Sequence, residues 1–213
     1  LRIRKIIEEY KAVGRKNELQ NIIKKMRKEQ QHTEPALPAE LCYVEGETRE
    51  HYLHDMRICQ QWAVLNRKLI SILLLRFFNG VEIKSEFESV HNYISDDNMI
   101  RKGAISAAKG ELCIIPLNMR DGTLICIGKG NTDWNCSAPH GAGRILSRSQ
   151  AYEQITMEDF ESSMNGIYSE SINEFTRDEA PMVYKPAKAI IDNIGETVII
   201  ETIIRPIFNF KAM

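Results

Sequence analysis

A long helical pattern runs through residues 47–78 and limits the folds open to this chain. At about 1.5 Å per residue, the helix would be nearly 50 Å long, and Asn79-Gly80 marks its end. It is apolar on all sides from Leu69 to Phe78, so we expect that end to be buried. One stripe of the helix is formed by Tyr52, Met56, Cys59, Ala63, Asn66 and Ile70.

Short apolar runs replace the helical pattern from Phe87 onward. They predict strands at 87–93, 112–117, 124–127 and 197–204, and Asp121-Gly122 is typical of a hairpin turn. Shorter helices are expected over 143–153, from Thr156 and over 186–193, whereas Arg101-Lys-Gly103 is interpreted as a basic loop. Because helices and strands do not alternate regularly, the predicted class is α+β, with mixed sheets flanked by helices and a long helix near the N-terminus.

Composition narrows the functional classes. The chain has 213 residues, of which 43% are hydrophobic and 27% charged, as in ordinary globular proteins. No apolar run is long enough to cross a bilayer, so we expect no membrane contact. The five cysteines form no C-x-x-C pair, which favours a reducing, cytoplasmic compartment. The chain begins with Leu1 rather than Met, and we expect it to be part of a longer protein.

Charge is distributed unevenly along the chain. Residues 1–28 contain ten Lys/Arg and three Asp/Glu, a charge of +7, which leaves −8 for the remainder of a chain of net charge −1. Residues 1–31 are predicted as a basic amphipathic helical segment, which could meet a polyanion or form a solvated face. Residues 32–46, with Pro35 and Pro38, are predicted as a linker, and 47–213 as one domain.

The segment from Ser137 to Arg148 has the clearest chemical pattern. Gly141 and Gly143 would let a ligand approach the backbone, and a helix beginning there would favour an anion. Arg144 and Arg148 suit phosphate contacts. A neutral His140 imidazole is a competent nucleophile toward phosphorus. A plain loop with a hydrogen-bonded surface histidine explains the same residues, and both readings stay open.

Other histidines offer weaker candidates. His91-Asn92 lies at the end of a predicted strand, where an imidazole could bind a metal and the amide a base, sugar or phosphate. Residues 115–123 bring polar groups to a strand end, as both ligand sites and ordinary turns do. His51 and His54 lie three residues apart on the long helix, but no third metal ligand is evident beside them.

Taken in order, these segments resemble the RtcB family of RNA-splicing ligases from the long helix to the C-terminus. The matching pieces are Tyr52-Leu-His-Asp-Met56 with Asn66-Arg67, Val90-His-Asn92, Arg101-Lys-Gly-Ala104, Ile115-Pro116 to Thr123, His140-Gly-Ala-Gly-Arg144 with Ser147-Arg148, Asp178-Glu-Ala-Pro181 with Tyr184-Lys185, and Arg205-Pro206 with Lys211. The chain looks like the C-terminal half of that fold, so that 47–213 would be part of a single catalytic domain.

The resemblance implies a GTP- and Mn²⁺-dependent ligase that joins RNA 3′-phosphate or 2′,3′-cyclic phosphate ends to 5′-hydroxyl ends. His140 would attack the α-phosphate of GTP and hold GMP covalently, and His91 would bind manganese. The nucleotide site implied by the resemblance consists of His91, Asn92, Pro116, Leu117, Asn118, Met119, Thr123, His140, Gly141, Ala142, Gly143, Tyr184 and Lys211. The RNA partners would be tRNA halves or broken RNA, and the need for an archease-like helper protein stays open.

The sequence departs from the family pattern in two ways. Asn118 and Thr123 stand where serines are expected, and both keep a hydrogen-bonding side chain. The upstream motifs that supply the other metal ligands are absent, so we expect this chain alone not to ligate RNA and to self-associate through exposed core surface. Two alternatives remain: a non-catalytic nucleotide-binding or partner-binding remnant of the fold, and an unrelated zinc hydrolase built on His51, His54 and His91.

Overall fold

A computed structural model describes residues 6–7, 9–10, 12, 18–30, 38, 41–78 and 80–209. The chain divides into two compact units, Leu1–Val81 and Glu82–Met213. The secondary structure mixes helices with antiparallel sheets, which confirms the predicted α+β class and the long helix near the N-terminus. No helix in the described part of the chain combines the length and apolar character needed to cross a bilayer.

The first unit contains two described helices, α1 (Leu19–Gln30) and α2 (Gly46–Leu75). The apolar side chains of α1 that lie at helical spacing are half-buried, namely Leu19, Ile22, Ile23 and Met26. The expected burial of the apolar end of α2 is wrong, because Leu69 is 53% exposed and Phe77, just beyond the helix, is 84% exposed. Within the first unit, the described residues include no element that covers this end. The predicted linker at 32–46 lies largely outside the described residues.

The second unit is built on two three-stranded antiparallel sheets and one two-stranded parallel sheet. The strands are β1 (His91–Ile94), β2 (Ile100–Ser106), β3 (Leu112–Asn118), β4 (Gly122–Gly128), β5 (Ser137–Pro139), β6 (Tyr168–Ser169), β7 (Val198–Ile204) and β8 (Phe208–Asn209). One sheet has the order β1-β2-β5 and the other β3-β4-β7, and β6 pairs with β8 in parallel. Pro206 follows the end of β7, as expected for a residue that cannot continue the ladder.

The helices of the second unit are short: α3 (Arg148–Gln154), α4 (Met157–Ser163) and α5 (Ala187–Ile191). The helix start predicted at Thr156 is confirmed, because its side chain accepts a hydrogen bond from the Asp159 amide. The helix predicted over 143–153 begins five residues later, at Arg148. There Ser147 and Gln150 form a capping box, which fixes the start of α3.

Two apolar clusters hold these elements together. The first joins the alternate buried residues of β3 and β4, including Ile115 and Leu124, to Ile105 of β2 and Val198 of β7. The second surrounds Phe160 of α4 and includes Met119, at the end of β3. The β3–β4 hairpin therefore reaches from one cluster to the other, and its turn is held on both sides.

Candidate functional site

Two histidine rings stack beside β2, the central strand of the β1-β2-β5 sheet. His91 opens β1 and pairs with Ile105 of β2, while Ile105 also pairs with Ala138 of β5. His140 follows β5 directly and lies against Gly103, two residues before Ile105 in β2, so the register brings the two histidines together. Their ring centroids lie 4.9 Å apart with an interplanar angle of 21°.

The backbone of β2 orients the His140 ring. Nδ1 of His140 lies 2.7 Å from the carbonyl oxygen of Gly103. A carbonyl oxygen can only accept, so Nδ1 carries the proton in this hydrogen bond. In the neutral ring, Nε2 then keeps a lone pair, which is the state that a nitrogen nucleophile requires.

Gly103 is in turn held by Asn92. The Gly103 amide donates to Oδ1 of Asn92 at 2.9 Å. Both residues have a positive φ, 57° at Asn92 and 68° at Gly103, in the region that Asn and Gly tolerate best. The β1–β2 register shifts between His91 and Tyr93, so the irregular backbone at Asn92 is what turns its side chain toward Gly103.

His91 has a lowered pKa. Partial burial is the largest cause, and the nearby charges of His140 and Lys102 act in the same direction. The imidazole of His91 is therefore held in its neutral form near neutral pH. A neutral imidazole is the form that binds a metal ion.

The histidines line an open cavity of about 750 Å³. Apart from Asn92 and Lys211, every residue predicted for the nucleotide site lies in its wall. These are His91, Pro116, Leu117, Asn118, Met119, Thr123, His140, Gly141, Ala142, Gly143 and Tyr184. Asn92 does not line the cavity but is linked through Gly103 to His140, which does, and Lys211 lies outside the described residues. The structure thus brings together segments that are far apart in the sequence.

The glycine loop is clamped between two other segments. The Ala142 amide donates to the Pro116 carbonyl at 3.0 Å, and the Lys185 amide donates to the Gly143 carbonyl at 3.0 Å. Gly143 has a φ of 71°, and a Cβ on Gly141 would lie 3.0 Å from the Pro116 carbonyl oxygen. The expectation that a helix begins within this loop is wrong, because α3 starts only at Arg148. The loop forms a wall of the cavity rather than a helix N-terminus.

The positive charge expected from two arginines is largely offset. Arg144 lies 3.6 Å from a carboxylate oxygen of Glu179 and 3.8 Å from one of Asp178. Arg148 lies 3.4 Å from Asp178, although its side chain remains 79% exposed. Asp178 and Glu179 entered the sequence argument only through the family resemblance, because no local pattern links them to Arg144.

Tyr184 closes the same side of the cavity. Its hydroxyl donates to Glu179 at 2.7 Å, and the Arg144 guanidinium lies 5.5 Å from the centre of its ring. Burial, followed by the hydrogen bond to Glu179 and the charge of that carboxylate, raises the pKa of Tyr184 to about 12. The ring is thus a fixed aromatic surface, of the kind on which a nucleobase can stack.

Asn118 and Met119 line the cavity, but their side chains are engaged in holding the hairpin turn and the apolar cluster. Oδ1 of Asn118 accepts from the amides of Arg120 and Asp121, at 3.0 and 2.8 Å, and its Nδ2 donates to the Asp121 carboxylate. Met119 is buried in the second apolar cluster. The polar atoms of Asn118 are therefore engaged in the hairpin turn that shapes this side of the cavity.

The described residues do not form a complete metal site. None of them belongs to a group of three or more His, Cys, Asp or Glu placed to hold a metal ion. Manganese favours several oxygen and nitrogen ligands, whereas the residues described around the cavity offer His91 alone as the predicted ligand. The zinc hydrolase built on His51, His54 and His91 has no support for the same reason.

Fold and site together define an α+β protein that presents a histidine at a glycine-lined cavity. A family model described as tRNA-splicing ligase RtcB matches residues 13–212, and the chain belongs to this family.

Two curated proteins from Escherichia coli are similar to the chain. RNA-splicing ligase RtcB of strain K12 is 31% identical over 185 residues, and RNA-splicing ligase RtcB1 of strain ATCC 25922 is 32% identical over 185 residues. In each case the match covers 78% of this chain and 45% of the relative. The chain thus spans less than half the length of these curated relatives.

Proposed function

We propose that this chain carries the nucleotide-accepting histidine of a GTP-dependent RNA ligase. The observation that carries the proposal is the hydrogen bond from Nδ1 of His140 to Gly103, which leaves Nε2 available at the cavity wall. Membership of the RtcB family and the RNA-splicing names of the curated relatives support RNA as the substrate.

In the proposed first step, the Nε2 lone pair of His140 bonds to the α-phosphorus of GTP. The bond from that phosphorus to the β-phosphate oxygen breaks, and pyrophosphate leaves with the electron pair. The glycine loop and the Tyr184 ring would hold the phosphate and the guanine on either side of the histidine. The product is GMP joined to Nε2 of His140 through a phosphoramidate bond. Nδ1 keeps its proton and its hydrogen bond to the Gly103 carbonyl.

In the second stage, a 3′-phosphate oxygen of the RNA attacks the GMP phosphorus. The phosphorus–nitrogen bond breaks and its electron pair returns to Nε2 of His140. The oxygen of the 5′-hydroxyl of the second RNA end then bonds to the activated 3′-phosphorus and loses its proton to solvent, while the phosphoanhydride bond breaks and GMP leaves with the electron pair. The protein's part in each stage is to position the reacting groups and to limit reorganisation around them.

We propose His91 as one ligand of a manganese ion that would offset phosphate charge. The described residues supply no complete ligand set, so the other ligands would have to come from outside them. We accordingly expect the 213-residue chain alone not to ligate RNA, as the sequence analysis predicts.

The test supplies the missing part in trans. This chain is mixed with the portion of E. coli K12 RNA-splicing ligase RtcB that it does not span, together with Mn²⁺ and α-labelled GTP. A parallel mixture contains an archease-like helper. We expect label on the band of this chain in the mixture, little on the chain alone, and at least about a 100-fold loss for His140→Asn.

Two controls make the result interpretable. The corresponding half of the E. coli protein replaces this chain as a positive control, and His54→Asn changes an exposed histidine in the other unit. Label on the E. coli half but never on this chain would overturn the proposal, as would label that survives His140→Asn.

A second candidate is a nucleotide-binding module without transfer activity. The lack of a described group of metal ligands favours it. It predicts that GTP binds to the chain, as measured by equilibrium dialysis, while no covalent label appears in any mixture.

A further inference from the structure

We propose that Asn92 is a positioning residue that sets the tautomer of His140 through the backbone of Gly103. The inference rests on the proposed function for its importance in catalysis, but its structural content can be tested separately. The resemblance assigns Asn92 a contact with GMP, whereas the geometry here gives its side-chain oxygen a different partner.

The relay consists of two consecutive hydrogen bonds. Oδ1 of Asn92 accepts from the Gly103 amide at 2.9 Å, and the carbonyl of the same Gly103 accepts from Nδ1 of His140 at 2.7 Å. Gly103 takes part in both hydrogen bonds, as donor to Asn92 and as acceptor from His140. The bond to Asn92 therefore fixes the orientation of the carbonyl that accepts from His140. The lone pair of Nε2 then points away from Gly103.

Gly103 needs such a restraint. It is an exposed glycine with a φ of 68°, so its backbone has more accessible conformations than that of any other residue type. Gly103 lies just outside the ladder between β2 and β5, whose nearest pair is Ala104 with Pro139. Asn92 therefore supplies a hydrogen bond to a residue that this ladder does not hold.

Asn92 is itself committed to this role by its backbone. It has a φ of 57° and sits where the β1–β2 register shifts. Asparagine is among the few side chains that tolerate this region, and its amide oxygen can accept while carrying no charge beside the histidine pair. His91, the neighbouring residue, stacks on His140 and restricts the plane of the ring. One short segment thus controls both the plane and the protonated nitrogen of His140.

The substitution that isolates this bond is Asn92→Gly, which removes the acceptor and tolerates the positive φ. Asn92→Asp keeps an acceptor oxygen and serves as the rescue variant. Asn98→Gly is the matched control, because Asn98 has a φ of 62° in the turn between β1 and β2, where its amide donates to the Ser95 carbonyl.

The first readout is ¹⁵N NMR of the imidazole nitrogens in the 213-residue chain, recorded above about pH 8, where an ordinary imidazole is neutral. We expect the proton on Nδ1 of His140 in the unmodified chain, in Asn92→Asp and in Asn98→Gly. Asn92→Gly should show a mixture of the two tautomers. A proton on Nε2 in the unmodified chain, or an Nδ1–H ring that Asn92→Gly leaves unchanged, would overturn the proposal.

The second readout is the labelling of His140 by GTP in the complemented mixture. A positioning role predicts that Asn92→Gly lowers the maximal labelling rate about 10-fold or more, with the GTP concentration for half-maximal rate unchanged. A direct contact between Asn92 and GMP predicts instead an unchanged maximal rate and a higher GTP concentration for half-maximal rate. That result would contradict the inference. If no variant is labelled but the NMR result holds, the relay stands and the proposed function fails.

Discussion

At the scale of single residues, the site is organised by hydrogen bonds that decide which atoms remain available. Nδ1 of His140 donates a hydrogen bond to a backbone carbonyl, so the lone pair stays on Nε2. The Tyr184 hydroxyl donates a hydrogen bond to Glu179, which also lies beside Arg144. The cavity therefore combines an imidazole nitrogen that keeps its lone pair with an aromatic ring that is fixed by a carboxylate.

The raised pKa of Tyr184 predicts how stability depends on pH. The folded-state pKa of about 12 exceeds the ordinary value near 10, so the folded form binds the phenol proton more tightly. This contribution to stability is complete below about pH 10 and is lost as the pH rises toward 12. We expect the difference in free energy of unfolding between the unmodified chain and Tyr184→Phe to shrink between about pH 10 and pH 12 in urea titrations.

Tyr168→Phe is a matched control for this measurement, because Tyr168 is exposed and its hydroxyl also bonds to a carboxylate, that of Glu170. The comparison of the two variants removes the effect of other groups that ionise in the same range. A Tyr184→Phe difference that stays constant, or grows with pH, would show that the hydroxyl is not held as described.

At the scale of elements, the β3–β4 hairpin carries one wall of the site. Its turn contains Asn118, Asp121 and Gly122, and Thr123 follows immediately. Gly122 has a φ of 86°, and a Cβ there would overlap the backbone carbonyl oxygen of Ile204 in β7. The turn therefore needs glycine both for its conformation and for the close approach of the neighbouring strand.

This double requirement predicts that Gly122→Ala destabilises the second unit by about 3 kcal/mol or more, from strain and overpacking together. Gly110→Ala is the matched control, because Gly110 has a φ of 81° but nothing within 4 Å of an added Cβ. The control should cost only about 1–2 kcal/mol. The measurement is urea unfolding followed by circular dichroism, and equal losses in the two variants would contradict the predicted contact with Ile204.

The elements that sequence patterns predict well are those with local signals. The Asp121-Gly122 hairpin and the helix start at Thr156 are confirmed because turn and cap chemistry act within a few residues. The sequence pattern does not predict strand β2, because Arg101 and Lys102 are typical of a basic loop. In the structure Arg101 is buried. Its guanidinium donates to Ser137 and Ser95, and these partners, 36 and 6 residues away, are not evident from the local sequence.

The candidate site also combines features that the sequence predicts with features that it does not. Family motifs identify the residues that meet around the cavity, but they do not reveal the hydrogen-bond and ion-pair partners of those residues. The Asn92–Gly103–His140 relay depends on a register shift in β1, and the carboxylates beside Arg144 come from a 3₁₀ turn far along the chain. Such contacts are set by tertiary structure, so a residue-by-residue reading of the sequence misses them.

At the scale of the whole molecule, two observations belong together. The chain spans 45% of the length of its curated relatives, and the described residues offer no complete metal site. The apolar end of α2 is also exposed, although its sequence predicts burial. The fold thus assembles the histidine pair and the cavity wall from its own second unit, while a full set of metal ligands is not present among the described residues.

None of the five cysteines forms a disulfide bond, so the reactivity of each thiol reports how well the fold shields it from solvent. Cys113 and Cys126 face each other across β3 and β4 inside the first apolar cluster. Burial is the main cause that raises the pKa of Cys113 to about 12 and that of Cys126 to about 11. Since the thiolate is the reactive form, both should be protonated and inert at about pH 8.

We therefore expect iodoacetamide at about pH 8 to label the exposed Cys42 and Cys59 at least about 100-fold faster than Cys113 and Cys126 in the native chain. The rates are measured by mass spectrometry of the corresponding peptides. In concentrated urea all five thiols should react at similar rates, because the fold that separates them is lost. Native labelling of Cys113 as rapid as that of Cys59 would mean that the sheet core supporting the Pro116–Thr123 wall opens to solvent, and the cavity could not then be the fixed site that the proposed chemistry of His140 requires.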